Sequence, residues 1–428
     1  VDQFFDRPLI RWNFCGREIV FPKQLQGDEM TRKTSFAFIV LLLAALACNL
    51  PGAVTPTPLP PPTETAAPAS TPIPTLAPTV ETPSLLPAPL YFISASDQQI
   101  WRVSNDGVTL TRITNEPEPV TAYDVSPLDG SLAYVSGNSL FRADADGGSV
   151  VLLVDGPEIG SEDGAINRTV TNPLWSPDGA RIAYGLNGAN VIPANGGEPQ
   201  VIQQSSPYPD LNNPTRPTEP VIFYWPTSWS PDGARLLLSF GYFPEGGGLA
   251  FKTLADGALV EVTTPEGLAC CYPTWSVDGQ SIYFANDSPG LIGPGLWQAP
   301  ADSGEAATLI PGVVENTLNL SGHARQLANG QLYFFYATQP FDPTLPPQWP
   351  PQLVMHRASA DGAALTALRT DINSPVEVLW AEDGSGAVIL QATPDTFYPF
   401  HGPLAWLDTA NNPAVTLPVD GSTMRWGK

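Results

Sequence analysis

Cationic side chains are scarce in this chain. Against 42 aspartates and glutamates stand 19 lysines and arginines, a formal net charge of -23, and beyond the N-terminal fifty residues the lysines are Lys252 and Lys428 alone. Such a chain cannot bind nucleic acid by neutralising phosphates. Nor does it offer a basic patch to an anionic membrane surface. Histidine is rarer still: His323, His356 and His401 lie far apart without ligand spacing, so neither a metal nor another cofactor is read from them. Cysteine is limited to Cys15, Cys48 and the adjacent Cys270 and Cys271. No apolar run is long enough to span a bilayer.

Membrane attachment therefore has to come from the N-terminal region. Met30-Thr31-Arg32-Lys33 is a short basic start, and an uninterrupted apolar run over 36–46 leads through Ala47 to Cys48. This is the layout of a secretory signal over 30–47. A small residue directly before cysteine resembles the bacterial lipobox, which implies that Cys48 becomes the lipid-modified first residue; Ala45 stands where that motif usually has Leu. The alternative is cleavage after Ala47, which releases a soluble exported protein. Residues 1–29 show no period and are read as a mis-assigned upstream extension without a fold. Over 48–88 the chain is mainly Pro, Thr, Ala, Leu and Glu, a composition that cannot bury a core and favours extended polyproline II. The expectation is a disordered stalk that holds a domain at up to roughly 100 Å from the membrane, outside the cytoplasm, at the cell surface or in the periplasm.

After the stalk the sequence repeats. VSPLDGSLAYVS, WSPDGARIAYGL, WSPDGARLLLSF, WSVDGQSIYFAN, LANGQLYFFYA and WAEDGSGAVILQA share one pattern, and their glycines, Gly130, Gly179, Gly233, Gly279, Gly330 and Gly384, recur at intervals of 46 to 54 residues. A period near fifty with strand but no helical pattern predicts a β-propeller. Each unit reads as four strands, the first often ended by Trp, with Asp-Gly turns closing the first and third hairpins. The third hairpins number seven and the first six. The two sets balance if residues 423–426 complete the unit begun at residue 89. An all-β ring of seven four-stranded blades over 89–428, closed by pairing of N- and C-terminal strands, is thus expected, with six or eight as alternative counts.

These SPDG repeats resemble the WD-repeat-like units of TolB-type propellers, and the resemblance covers residues 89–428. It implies a propeller in a bacterial lipoprotein and leaves the function open, because such repeats occur in binding proteins and in peptidase propellers alike. Seven blades depart from the usual six of that type. The fifth unit, NLSGHARQLANG, departs most from the repeat.

Catalytic signatures are missing. No Gly-x-Ser-x-Gly elbow occurs, and the adjacent Asp-Gly of the turns does not fit the spacing of sialidase boxes. Asp144-Ala145-Asp146-Gly147 lacks the later ligand of a calcium loop. Trp175, Trp229, Trp275 and Trp380 read as packing between blades, the alternative being a stacking ring for sugars. Cys270 and Cys271 are candidates for a vicinal disulfide, with free thiols the alternative.

The long connections fall on the face opposite the Asp-Gly turns. They carry Tyr208, Tyr224, Trp225, Tyr242, Phe243, Trp349, Phe397, Tyr398, Phe400 and His401 as ligand-binding candidates. An extracytoplasmic, lipid-anchored module that binds a protein, peptide or glycan is the leading reading, without catalysis. The alternative is a lactonase- or glycosidase-like hydrolase using Glu162, Asp163, Asp210 and Asp395 of the same loops.

Overall fold

The Ser-x-Asp-Gly turns are where the sequence acts most directly on the backbone. Ser176 Oγ donates to Asp178 Oδ1 at 2.5 Å and accepts from Arg181 N at 2.9 Å, while Asp178 Oδ1 also accepts from Ala180 N at 3.0 Å. Gly179, at a φ of 63°, donates its N–H to Ser176 O at 2.8 Å. The turn thus satisfies its own polar groups. The same bonds recur over 230–235 and 276–281. The serine hydroxyl beside each carboxylate holds Asp178, Asp232 and Asp278 below the usual carboxyl range. In the divergent fifth unit Asn329 takes the aspartate's place, accepting from Gln331 N at 3.0 Å.

This computed structural model describes residues 84–159, 165–209, 219–243, 245–265, 269, 271–288, 293–342, 350–392 and 400–428, together with two short strands, Trp12–Phe14 and Arg17–Ile19. Those two strands form an antiparallel hairpin inside the stretch where the sequence shows no period. Cys48, the signal-like run and the stalk as far as residue 83 lie outside the described residues.

Each Asp-Gly turn joins strands of an antiparallel sheet. The first sheet holds Val120–Val125, Leu132–Ser136, Ser139–Ala143 and Val151–Asp155; the second Thr171–Trp175, Arg181–Gly185, Gly188–Pro193 and Gln200–Gln204. The third holds Val221–Trp229, Arg235–Phe243, Gly247–Thr253 and Leu259–Glu261; the fourth Thr274–Trp275, Ser281–Asn286, Gly295–Pro300 and Ala307–Pro311. The fifth adds a two-residue strand, Val313–Val314, to Thr317–Gln326, Leu332–Pro340, Val354–Ala358 and Thr366–Ala367. First and third hairpins lie on one face, where they bond to each other: Ala194 N to Ala180 O at 2.9 Å, Leu254 N to Ala234 O at 3.1 Å and Ala301 N to Gln280 O at 2.8 Å.

The sixth sheet has seven strands: Pro375–Trp380, Gly386–Gln391, Gly402–Asp408, Val415–Trp426, Leu90–Ser94, Ile100–Val103 and Leu110–Arg112. Its long C-terminal strand pairs twice. Val415 lies opposite Trp406 and Gly421 opposite Gly402, after which Gly421 lies opposite Ser94 and Trp426 opposite Leu90. Residues 423–426, expected as a separate strand, are therefore the end of a longer one.

Burial on both sheet faces explains why the second strand of each unit is apolar throughout rather than alternating. In Ser281–Asn286, Ile282 and Phe284 pack with Leu237 and Phe251 of the third sheet, and Tyr283 and Ala285 with Leu332 and Phe334 of the fifth. The same relation joins each sheet to the next. One further cluster joins Val388, Leu404 and Trp406 to Leu90, Phe92, Val103 and Met424. Leu86 belongs to it at 1 % exposure, so the packed domain begins a few residues before the stalk boundary expected at residue 88. The Ser-Leu-Leu of 84–86 supplies apolar side chains that the preceding Pro/Thr run lacks.

Candidate ligand-binding cavity

The first strands of the sheets converge on one cavity of about 1040 Å³. Val120–Val125, Thr171–Trp175, Val221–Trp229, Thr274–Trp275, Thr317–Gln326, Pro375–Trp380 and the end of Val415–Trp426 all contribute to its wall. All but Thr274–Trp275 carry one residue more than their ladder partners, a β-bulge apiece. Bulges re-aim side chains. Asn172, His323 and Thr423 sit at these irregularities with φ of 48° to 57°, and Tyr272, at 49°, lies just before Thr274–Trp275, a local backbone strain at the cavity wall.

The tryptophans that end the first strands bind neighbouring first strands together. Trp229 Nε1 donates to Leu174 O at 3.0 Å, Trp380 Nε1 to His323 O at 2.8 Å, and Trp426 Nε1 to Trp380 O at 2.8 Å. The Trp229 and Trp380 rings are buried between neighbouring sheets, in agreement with the packing expected of them, and Trp426 packs within the sixth sheet.

Among the described residues three carboxylates line the cavity, and each is engaged. Asp124 accepts from Arg425 Nε at 3.1 Å and from Trp175 N at 2.8 Å. Burial raises the Asp124 pKa, opposed by the Arg425 charge and these bonds. Glu377 accepts the N–H of Thr423 at 2.7 Å and of Met424 at 2.5 Å, the two groups that the bulge in the C-terminal strand frees from its ladder. Glu382 pairs with Arg325. His323 is buried at 6 % exposure, its ring 3.8 Å from that of Tyr272 between centroids. Its Nε2 lies 3.2 Å from Pro375 O. A carbonyl only accepts, so Nε2 carries the proton, and burial pushes the imidazole pKa down to about 4.

Of the aromatic candidates, Phe400 and His401 line the cavity, His401 exposed with Nδ1 at 3.4 Å from Ser422 Oγ. Tyr224, Trp225, Tyr242 and Phe243, expected in loops, are instead in strands, because the Val221–Trp229 and Arg235–Phe243 hairpin extends past the point where the neighbouring sheet stops. Tyr224, 8 % exposed, packs with Phe240 and Tyr242 against the second sheet. Tyr208 stacks on Phe223 at 6.0 Å and meets Phe243 edge-on at 5.7 Å, with Trp225 against Phe223. These rings form a cluster separate from the cavity wall. Trp349, Phe397, Tyr398, Glu162, Asp163, Asp210 and Asp395 lie outside the described residues. Cys271 is disulfide-bonded, and Cys270 lies outside the described residues. Sequence reasoning did not single out Asp124, Glu377, Arg425 or Tyr272. The cue for Tyr272 was its place directly after the cysteine pair.

No protein-family model and no curated protein matches this chain. Solved structures do. A puromycin hydrolase variant complexed with PGG aligns at a TM-score of 0.52 and 15% identity over 78% of this chain and 52% of its own, so this chain spans about half its length. An oligogalacturonate lyase from Vibrio parahaemolyticus aligns at 0.50 and 14% identity, over 77% and 84%. TolB from Acinetobacter baumannii covers 66% of this chain and 64% of its own at 13% identity, with a TM-score of 0.39, too low to add to the argument. At these identities the likeness is one of fold alone: an all-β propeller of antiparallel, mostly four-stranded sheets.

Proposed function

We propose that this chain is an exported lipoprotein whose propeller has seven blades and binds a protein, peptide or glycan at the mouth of its central cavity without transforming it. The count rests on seven first strands around one cavity and on the C-terminal strand serving two units. Export and anchoring rest on the signal-like 30–47 and Cys48. A vicinal bridge between Cys270 and Cys271 belongs to the same reading, since an exported chain meets an oxidising compartment.

One observation carries the binding reading. Among the described residues each carboxylate of the cavity wall is engaged by an arginine or by backbone N–H groups, whereas glycoside hydrolysis needs two that are free to exchange protons with substrate. What remains available is aromatic and hydrogen-bonding surface, the usual character of a sugar or peptide site.

The test is an array of peptides and glycans probed with the detergent-solubilised full chain, followed by titration of the best ligand. His401→Ala, and separately Phe400→Ala, is expected to weaken binding about tenfold, roughly 1.4 kcal/mol, with the melting temperature of His401→Ala unchanged. Turnover of an arrayed compound, or affinity that falls only when Asp178 or Asp232 on the tight-turn face is altered, overturns the proposal.

A further inference from the structure

The tight-turn face holds a second cavity, of about 430 Å³, in the crevice between the first and second sheets. Asp129, Arg142, Trp175, Ala180 and Asn195 contribute to its wall. Two donors on these residues, Arg142 Nε and Trp175 Nε1, are buried and have no hydrogen-bond partner among the described residues. Trp175 is 6 % exposed.

The next crevice shows how such a pair is satisfied from within. Between the second and third sheets, Arg181 lies over the Trp229 ring at 4.8 Å from its centroid and its Nη2 donates to Gly233 O at 3.2 Å, while Trp229 Nε1 donates to Leu174 O at 3.0 Å. Cation and indole N–H both find protein acceptors there. Between the first and second sheets neither Arg142 Nε nor Trp175 Nε1 does, although buried polar groups are as a rule hydrogen-bonded.

We infer that this crevice is a binding site for a single carboxylate group, which accepts from Arg142 and from the Trp175 indole. A guanidinium presents its N–H groups in a plane that matches the two oxygens of a carboxylate. Asp129 shapes the selectivity. Its carboxyl, held below the usual range chiefly by the Ser126 hydroxyl, stays ionised in the same wall and repels a doubly charged phosphate or sulfate more than a monoanion. Beside the crevice, Leu128 is 52 % exposed against Gly179, and Lys428 Nζ donates to its carbonyl. An apolar contact and a second cation therefore flank the site. Trp175 lines both this crevice and the central cavity, whereas Arg142 and Asp129 belong to the crevice wall alone, so Arg142 variants separate this inference from the ligand proposed for the central cavity.

The probe is N-acetylglycine, with its amide as control, titrated into the full chain at fixed ionic strength. The Trp175 indole N–H resonance, identified as the one missing in Trp175→Phe, reports occupancy. A saturable downfield shift is expected with the carboxylate and not with the amide. Arg142→Gln should weaken it about tenfold or more and Arg142→Lys less, since the lysine keeps the charge but loses the planar fork. An equal response to the amide, or an unchanged response in Arg142→Gln, overturns the site. Tighter binding of sulfate than of N-acetylglycine overturns its assignment to a monoanion.

Discussion

Asp287 and His323 titrate in opposite senses from neighbouring sheets. Asp287 follows the strand Ser281–Asn286 at 5 % exposure, with Oδ2 so near Gly322 that a Cβ there would stand 2.5 Å away. Burial pushes its carboxyl up to about 7. Its folded pKa exceeds the unfolded one, so the unfolded chain ionises first and stability falls as pH rises from about 4 to about 7. His323 is the reverse: its folded pKa of about 4 lies below the ordinary 6.5, so stability falls as pH drops from about 6.5 to about 4. Each contribution is on the order of 3 to 4 kcal/mol at most, and over this shared window they largely cancel. Asp287→Asn removes one side of the balance. In urea titrations the variant should gain a few kcal/mol over the parent at pH 7.5 and nothing at pH 4, and its own stability should decline on acidification. An Asn variant less stable than the parent at pH 7.5 would show that the Asp287 carboxylate is instead held ionised by a favourable contact.

The C-terminal strand shows what a bulge does to an element. Its extra residue leaves the N–H groups of Thr423 and Met424 without ladder partners, and Glu377 of Pro375–Trp380, the preceding first strand around the cavity, accepts both. Glu377→Ala should destabilise by about 2 to 4 kcal/mol, two orphaned donors at about 1 to 2 each, and Glu377→Gln by less. Thr423, β-branched at a φ of 57°, pays for this arrangement in backbone strain. Thr423→Gly should therefore stabilise by about 1 kcal/mol in the same denaturant assay. A loss in that variant would mean that the threonine side chain contributes more than its conformation costs. Much of this level was legible in the sequence. The Ser-x-Asp-Gly spacing specifies its own turn through local hydrogen bonds, so the hairpins, the period and the tight-turn face could be read directly. The cavity chemistry could not. Asp124 meets Arg425 across some three hundred residues of sequence, and Glu377 acts on backbone rather than on any side chain that a motif would mark. Tyr224 and Tyr242 were read as loop residues because nothing local says how far past the repeat a hairpin continues; that length depends on packing against the neighbouring sheet.

At the scale of the whole molecule two attachments matter, the proposed one of the chain to a membrane and that of the chain to itself. Lipid on Cys48 is the sole anchor that the sequence reading provides, so Cys48→Ser should abolish lipid labelling and move the protein to the soluble fraction, checked by fractionation in high salt. A variant still membrane-bound there would remove the lipoprotein reading. Closure of the proposed ring rests on residues 423–426. Trp426 lies opposite Leu90 and donates to Trp380 O, Arg425 pairs with Asp124 of the first sheet, and Met424 is buried at 1 % exposure in the cluster of Leu90, Val388 and Leu404. Two stretches of the sixth sheet, Pro375–Trp380 and Leu90–Ser94, and the first sheet thus meet on a few residues. Deleting residues 423–428 withdraws all of these contacts together, leaves Glu377 without its two N–H donors and Asp124 without its arginine, and exposes the edge of Leu90–Ser94 as a template for pairing with another chain. The truncated protein is expected to lose its single cooperative melting transition or to aggregate before reaching it, as read by calorimetry and light scattering. A truncated chain that stays monomeric with an unchanged transition would show that the terminal strands do not hold the ring, and the seven-bladed closure would have to be abandoned with it.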